Sequence, residues 1–275
     1  MADLILPLPL TGTSFGLLIP DKPDPKTIQV EDFVDPSAIR KALSKTGPIG
    51  SAPPAQWARQ LAAKSFWPAY FNHTLPTCWP AAYAHWIQVL TWNNGKYAIP
   101  PEKYVLQAYY GAGGFNPATG QGTQGVYSLN MLNWLLNNPF GGDKHVIDGF
   151  ASIDATNRDD DKLKWAIYSF GHVFAAVVLP QSAIDQYHAG DGHPFTIVDG
   201  PDGEPQWAHL LPFFGSSGSK LGTSTWGTSK DAMADWFWKY VREIWVVKSK
   251  EWKQLAGSGF DVKGFQTAVK KVRAA

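Results

Sequence analysis

The sequence predicts an α+β protein, a helical lobe followed by a lobe of sheet or barrel, on three observations. Apolar residues recur at helical spacing in the first half of the chain. After Gly171 the texture changes to apolar runs of strand length, separated by Gly, Asp and Ser turns. Helices first and strands second segregates the two kinds of element, and 275 residues can bury a sizeable core as one domain or two lobes.

Residues 1 to about 30 are rich in Pro, Gly and Thr, as in Pro20-Asp21-Lys22-Pro23-Asp24-Pro25, and read as an extended arm. Pro36 to Lys45 and Pro54 to Lys64 read as short helices, parted by a Gly/Ser/Pro turn. From Cys78 the apolar positions Cys78, Ala82, Trp86 and Val89 mark one face of a helix of roughly three turns. Pro80 suits its first turn, where a missing N–H costs nothing. A glycine-rich loop, Gly111 to Gly125, leads into a helix that Ser128 is expected to cap. Arg158-Asp159-Asp160-Asp161 opens another helix, which runs through Phe170 and ends at Gly171. Acids in a first turn complement the helix dipole; a metal site is the sharper reading of the same run, a solvated helix start the plainer one. Strands are expected at Val173 to Leu179, Phe195 to Val198, Ala208 to Phe214, Leu221 to Trp226 and Trp236 to Val247. Val262 to Ala275 reads as a basic amphipathic helix.

A net charge of +1 gives no reason to expect nucleic acid or an anionic membrane as partner. The first residues lack a basic n-region, and no later stretch is long and apolar enough to span a bilayer. With a single cysteine this suits a reducing cytoplasm, export without a leader being the other route. Thirteen Trp, 15 Phe and 10 Tyr suit either a carbohydrate-binding surface or packed cores, and cores use more of them.

Cys78 has no partner for an internal disulfide. At the start of a helix, backbone N–H groups and the macrodipole favour thiolate, which makes it a candidate nucleophile; the alternative is a small buried hydrophobe. A nucleophilic thiol needs a base, and the base an orienting group. Of seven histidines, His209 is followed by a strand-like run to Gly215, which would hold it rigidly. His193 is the rival, but Pro194 interrupts the strand start beside it. Shortly after His209 comes Thr223-Ser224-Thr225-Trp226-Gly227.

These residues resemble the papain-like (C1-type) cysteine peptidases, whose pattern is Gln, five residues, Cys-Trp; then His and an apolar strand ending in Gly; then Asn-Ser-Trp-Gly. Here the sequence has Asn72, five residues, Cys78-Trp79; then His209 with Gly215; then Ser224-Thr225-Trp226-Gly227, with 131 positions separating Cys78 from His209. Leu163 to Val177 resembles the family's helix and Gly-Pro-Val strand, Gly122 to Tyr127 its cleft loop, and Phe15 to Asp24 the start of bacterial members lacking a secretory leader. The resemblance covers roughly residues 14 to 248.

It implies a two-lobe fold with a central Cys-bearing helix and an antiparallel, barrel-like β lobe. The expected organisation is an arm and short helices over 1–65 packing on the body, a catalytic domain over 66–250 and a C-terminal helix over 251–275. Within the domain, a helical lobe would occupy roughly 75–170 and a β lobe roughly 171–250. The implied chemistry is peptide hydrolysis without metal or organic cofactor. Cys78 attacks as thiolate, His209 protonates the leaving amine, and Asn72 with the Cys78 N–H holds the oxyanion. The resemblance gives Ser224 the task of orienting His209, Trp226 that of shielding that contact, and Gly125 that of letting a substrate backbone approach. Asn72 stands where the family has Gln, and Ser224 where it has Asn. Two alternatives follow: a weak or inactive relative that binds or joins an assembly, and an acyl-transfer enzyme on the same site.

Overall fold

From the N-terminus the chain forms a short 3-10 turn (Val30–Phe33), then α1 (Cys78–Asn93), α2 (Glu102–Gly111), α3 (Ser128–Asn137), β1 (Ile147–Ile153), α4 (Asp160–Phe170) and β2 (Val173–Pro180). There follow α5 (Gln181–His188), β3 (Pro205–Ser217), β4 (Lys220–Thr225), β5 (Thr228–Met233), α6 (Ala234–Tyr240), β6 (Val241–Ser249) and α7 (Val262–Ala274). The structure, a computed structural model, describes residues 17, 27–35, 37, 66–116, 118–122, 125–142, 145–198, 205–251 and 258–274.

The strands make one antiparallel sheet in the order β1-β6-β2-β3-β4-β5. Strand alternation divides the core between its faces. Phe174 and Ala176 of β2, Leu210 and Phe214 of β3, and Trp245 and Val247 of β6 pack with α1, α2 and α3. Ala175, Val177, Leu211, Phe213, Ile244 and Val246 point the other way, against Trp165 and Ile167 of α4, Trp236 and Phe237 of α6, and Phe265 of α7. The aromatics are core and seam material: Trp79, Trp86, Trp165 and Trp236 are among the largest fully buried side chains. Residues 27–35 lie on this second face, where Gln29 bridges Ser152, Val34 bridges Phe260, and Lys162 meets Glu31 at 2.8 Å.

Several expectations are corrected. The sheet is open, not barrel-like, because β1 and β5 are its two edges. β1 and β5 go unread in the sequence: Gly149 interrupts the one, and Thr228–Met233 has few apolar residues. The expected strand from Trp236 is helix α6 up to Tyr240, and only then β6. Its aromatics suit strands, but Trp236, Phe237 and Tyr240 bury one helical face, and tertiary packing overrides that preference. Phe195 to Val198 is reduced to one bridge, Phe195 to Ala232, after Pro194. Ser128 does not cap α3, whose cap position is Tyr127; its hydroxyl is used elsewhere. The run before α4 is a helix start: Asp159 accepts the Lys162 N–H, and Asp160 binds Arg158 and Trp238. The helices expected over Pro36 to Lys45 and Pro54 to Lys64 lie, apart from Ser37, outside the described residues. Among the described residues no helix is long and apolar enough to cross a membrane.

Candidate active site

Cys78 opens α1, a helix longer than its apolar stripe implied and buried on every side as far as Thr91. The thiol is 3% exposed, and the backbone amides of Leu210, Trp79 and Cys78 itself hydrogen-bond its sulfur. Burial wins over these amides and pushes the thiol from 9.0 up to about 11. The helix start therefore does not by itself yield a thiolate. The Leu210 amide is decisive for geometry, since it brings the thiol to β3 one residue beyond His209.

His209 stands opposite Val177 in the β2–β3 ladder and is 5% exposed. Burial lowers its imidazole from 6.5 to about 3. Its Nε2 lies 2.8 Å from Oγ1 of Thr225, and the Trp226 indole stacks on the ring at 4.6 Å between centroids. Trp226 takes φ 45°, and Tyr187 secures it by donating its hydroxyl to the Trp226 carbonyl at 3.0 Å. The next residue, Gly227, has φ 83° with the Trp67 carbonyl 3.3 Å from where a Cβ would sit, so any side chain there would be strained.

The hydroxyl on His209 belongs to Thr225, not Ser224. Adjacent strand residues face opposite ways, and Ser224 points toward α1, its Oγ 2.9 Å from Nδ1 of His85. His85 Nε2 is 2.8 Å from the Pro68 carbonyl. That carbonyl belongs to the segment leading to Asn72, which α1 grips at alternate residues. Gln88 donates to the Phe66 carbonyl (3.2 Å), His85 to Pro68, and Thr77 to the Tyr70 carbonyl (2.8 Å). Tyr70 and Phe71 then take φ 50° and 62°, and the half-buried Asn72 closes the turn with its N–H on the Ala69 carbonyl.

Gly125, at φ 124°, lies beside Tyr109. Burial raises the Tyr109 hydroxyl, while the amides of Phe115 and Gly125 hydrogen-bond it and pull the other way; charge on Cys78 adds to the rise. The glycine-rich loop is thus pinned near the thiol. Trp79 is held by a second set of bonds: its Nε1–H donates to Ser128 Oγ at 3.1 Å, and Ser128 donates to Glu243 at 2.5 Å. Leu17 also reaches this edge, 4% exposed, its N–H donating to the Ala208 carbonyl at 2.8 Å. His193 is exposed in a turn closed by Asp191.

No protein-family model matches the sequence, and no curated protein matches it. Among solved structures, xylellain, a cysteine protease from Xylella fastidiosa, matches with a TM-score of 0.58 at 13% identity, covering 86% of this chain and 96% of xylellain. The fold is papain-like. A structure bearing on the mite allergens Blo t 1 and Der p 1 matches with a TM-score of 0.44 at 11% identity, over 70% of this chain and 69% of that one.

The papain-like fold explains why α1 lies against β3, where the Cys78 and His209 segments meet. It does not single out Thr225, His85, Tyr109 or Glu243, which sequence reasoning missed. Thr225 was in view as a neighbour of Ser224, and counting strand parity back from the Trp226-Gly227 turn was the signal that could have separated them. His85 offered a weaker signal, a histidine seven positions after Cys78 in the apolar first half of the helix.

Proposed function

We propose that the protein is a cysteine peptidase in which Cys78 is the nucleophile and His209 its base. The observation that carries this reading is the chain of contacts from the Cys78 sulfur to the Leu210 amide, and from His209 to Thr225 and Trp226. When His209 donates Nε2–H to Thr225, Nδ1 is left to take the thiol proton. The sulfur attacks a peptide carbonyl, and the Cys78 N–H and the Asn72 side chain meet the oxyanion. His209 returns the proton to the leaving amine, and water releases the acyl group. Gly125 gives room for an extended substrate backbone, and the chemistry requires no metal or cofactor.

Labelling by a peptidyl epoxide, followed by intact mass and peptide mapping, tests this. Cys78 should be modified faster than free cysteine at pH 7, and His209→Ala should remove the advantage. A wild-type rate no greater than that of free cysteine would sink the proposal. One observation favours a second reading, a papain-like protein that binds without turnover: both groups are buried, and burial favours the neutral form of each. Tight binding of peptides with no labelling and no cleavage would establish that reading instead.

A further inference from the structure

His85 is buried on α1, with the rings of Trp67 and Tyr70 against it at 5.2 and 5.3 Å. A carbonyl can only accept, so the 2.8 Å contact with Pro68 places the proton on Nε2. Nδ1 is then a bare acceptor, and the Ser224 hydroxyl donates to it at 2.9 Å. Burial keeps the ring neutral by lowering it from 6.5 to about 4, in line with that tautomer.

His172 makes a useful comparison. It too is buried and neutral, with Nδ1–H on the Phe170 carbonyl and Nε2 accepting the Val247 N–H. Those partners, at the end of α4 and in β6, belong neither to the Asn72 segment nor to the strand that carries Thr225. The partners of His85 do, one to each. Pro68 lies four residues before Asn72, and Ser224 is bonded through the chain to Thr225, which holds His209.

We propose that His85 is a positioning residue that sets the Asn72 segment at a fixed distance from β4, the strand whose Thr225 holds His209, with Ser224 as its link. The claim rests on the reading of Cys78, His209 and Asn72 given above. The segment needs such a clamp because Tyr70 and Phe71 both occupy the left-handed region, which side-chain-bearing residues leave unless held. Thr77 and Gln88 tie that segment to α1. Of the three α1 side chains gripping it, His85 is the one that also hydrogen-bonds β4. It touches no reacting atom, so its effect is confined to where the oxyanion donor stands.

The test is a cycle of Ser224→Ala, His85→Gln and the double variant. Glutamine can replace the Nε2–H donor to Pro68 but offers nothing at the Nδ1 position. Each single variant should lower kcat for a peptide ester by about tenfold with KM little changed, since a displaced oxyanion donor loses part of its effect. The double variant should be no worse than either single one, because both cut the same link. Alkylation of Cys78 by a peptidyl epoxide, which forms no carbonyl oxyanion, should stay within about threefold of wild type. Losses that multiply, or an equal fall in alkylation, would overturn the inference. A second readout is independent of turnover. In 15N-labelled protein the Asn72 amide resonances should shift in Ser224→Ala. Unmoved Asn72 resonances refute the link even in an inactive protein, whereas shifted resonances with no wild-type turnover sink only the peptidase reading.

Discussion

Thr225→Val is the substitution that separates the two hydroxyls of β4. Valine keeps the shape and the β-branch, so the strand and its ladder to β5 persist. What is lost is the oxygen 2.8 Å from His209 Nε2, in a place where the imidazole is 5% exposed and water cannot substitute. An unpaired buried N–H costs about 1–3 kcal/mol. The ring relieves that by turning against Trp226 or by moving its proton to Nδ1, the nitrogen that receives the thiol proton in the proposed mechanism. Either response removes the productive arrangement, and 1–3 kcal/mol corresponds to roughly 5- to 150-fold in rate. Peptidyl-epoxide labelling of Cys78 should therefore slow by about 10- to 100-fold in Thr225→Val. Thr225→Ser should retain most of the rate, and Ser224→Ala should stay near wild type. If Ser224→Ala slows labelling more than Thr225→Val, the assignment of the orienting hydroxyl is wrong.

Leu17→Ala should cost about 2–5 kcal/mol in urea unfolding, because the side chain is buried in the core shared with Cys78 and Leu210. A cost below 0.5 kcal/mol, roughly the surface value, would mean that residue 17 is not seated there in solution. Acid should also destabilise the fold. His85 and His172 are lowered to about 4 and about 3, while in the unfolded chain they titrate near 6.5. Between those values the unfolded state binds more protons, so stability is complete above pH 6.5 and falls as pH drops toward 4. Each histidine contributes a slope of about 1.4 kcal/mol per pH unit at most. Urea midpoints that are flat from pH 7 to 4.5 would contradict the buried neutral state.

How much of this was legible in the sequence depended on what kind of residue carried it. Cys78, His209 and the Trp226-Gly227 turn were legible because each has a local signature: a helix start, a strand start, a glycine that must turn. The positions of β2, β3 and β4 along the chain followed from apolar runs bounded by turn residues. The fate of Ser224 and Thr225 was not legible, because two adjacent hydroxyls differ only in strand parity, and a one-residue shift exchanges the faces they see. The α6 segment misled for a related reason. Ala234–Tyr240 is aromatic enough for a strand, and only the partners of Trp236 and Phe237 on the far face of the sheet make it a helix. Ser128 is a residue suited to a cap, but its hydroxyl bridges Trp79 and Glu243, residues 49 and 115 positions away. No local pattern contains such a bond.

The resting charge state of the pair follows from the same burial. With burial holding the Cys78 thiol up at about 11 and the His209 imidazole down at about 3, moving the proton from sulfur to imidazole is uphill in the enclosed site. The enclosed site therefore keeps the proton on sulfur, and the thiolate appears only when a ligand or water enters and relieves the burial. This separates two reagents. Iodoacetamide, which makes no contacts along a cleft, should label Cys78 more slowly than free cysteine at pH 7. At a thiol value of about 11 the thiolate fraction is roughly 300-fold below that of a thiol near 8.5. Its rate should climb steadily with pH and show no plateau below pH 8. A peptidyl epoxide, which fills the site as it reacts, should be faster than free cysteine. Fast iodoacetamide labelling with a plateau from pH 5 to 8 would show a standing thiolate–imidazolium pair, and the burial argument would fail with it.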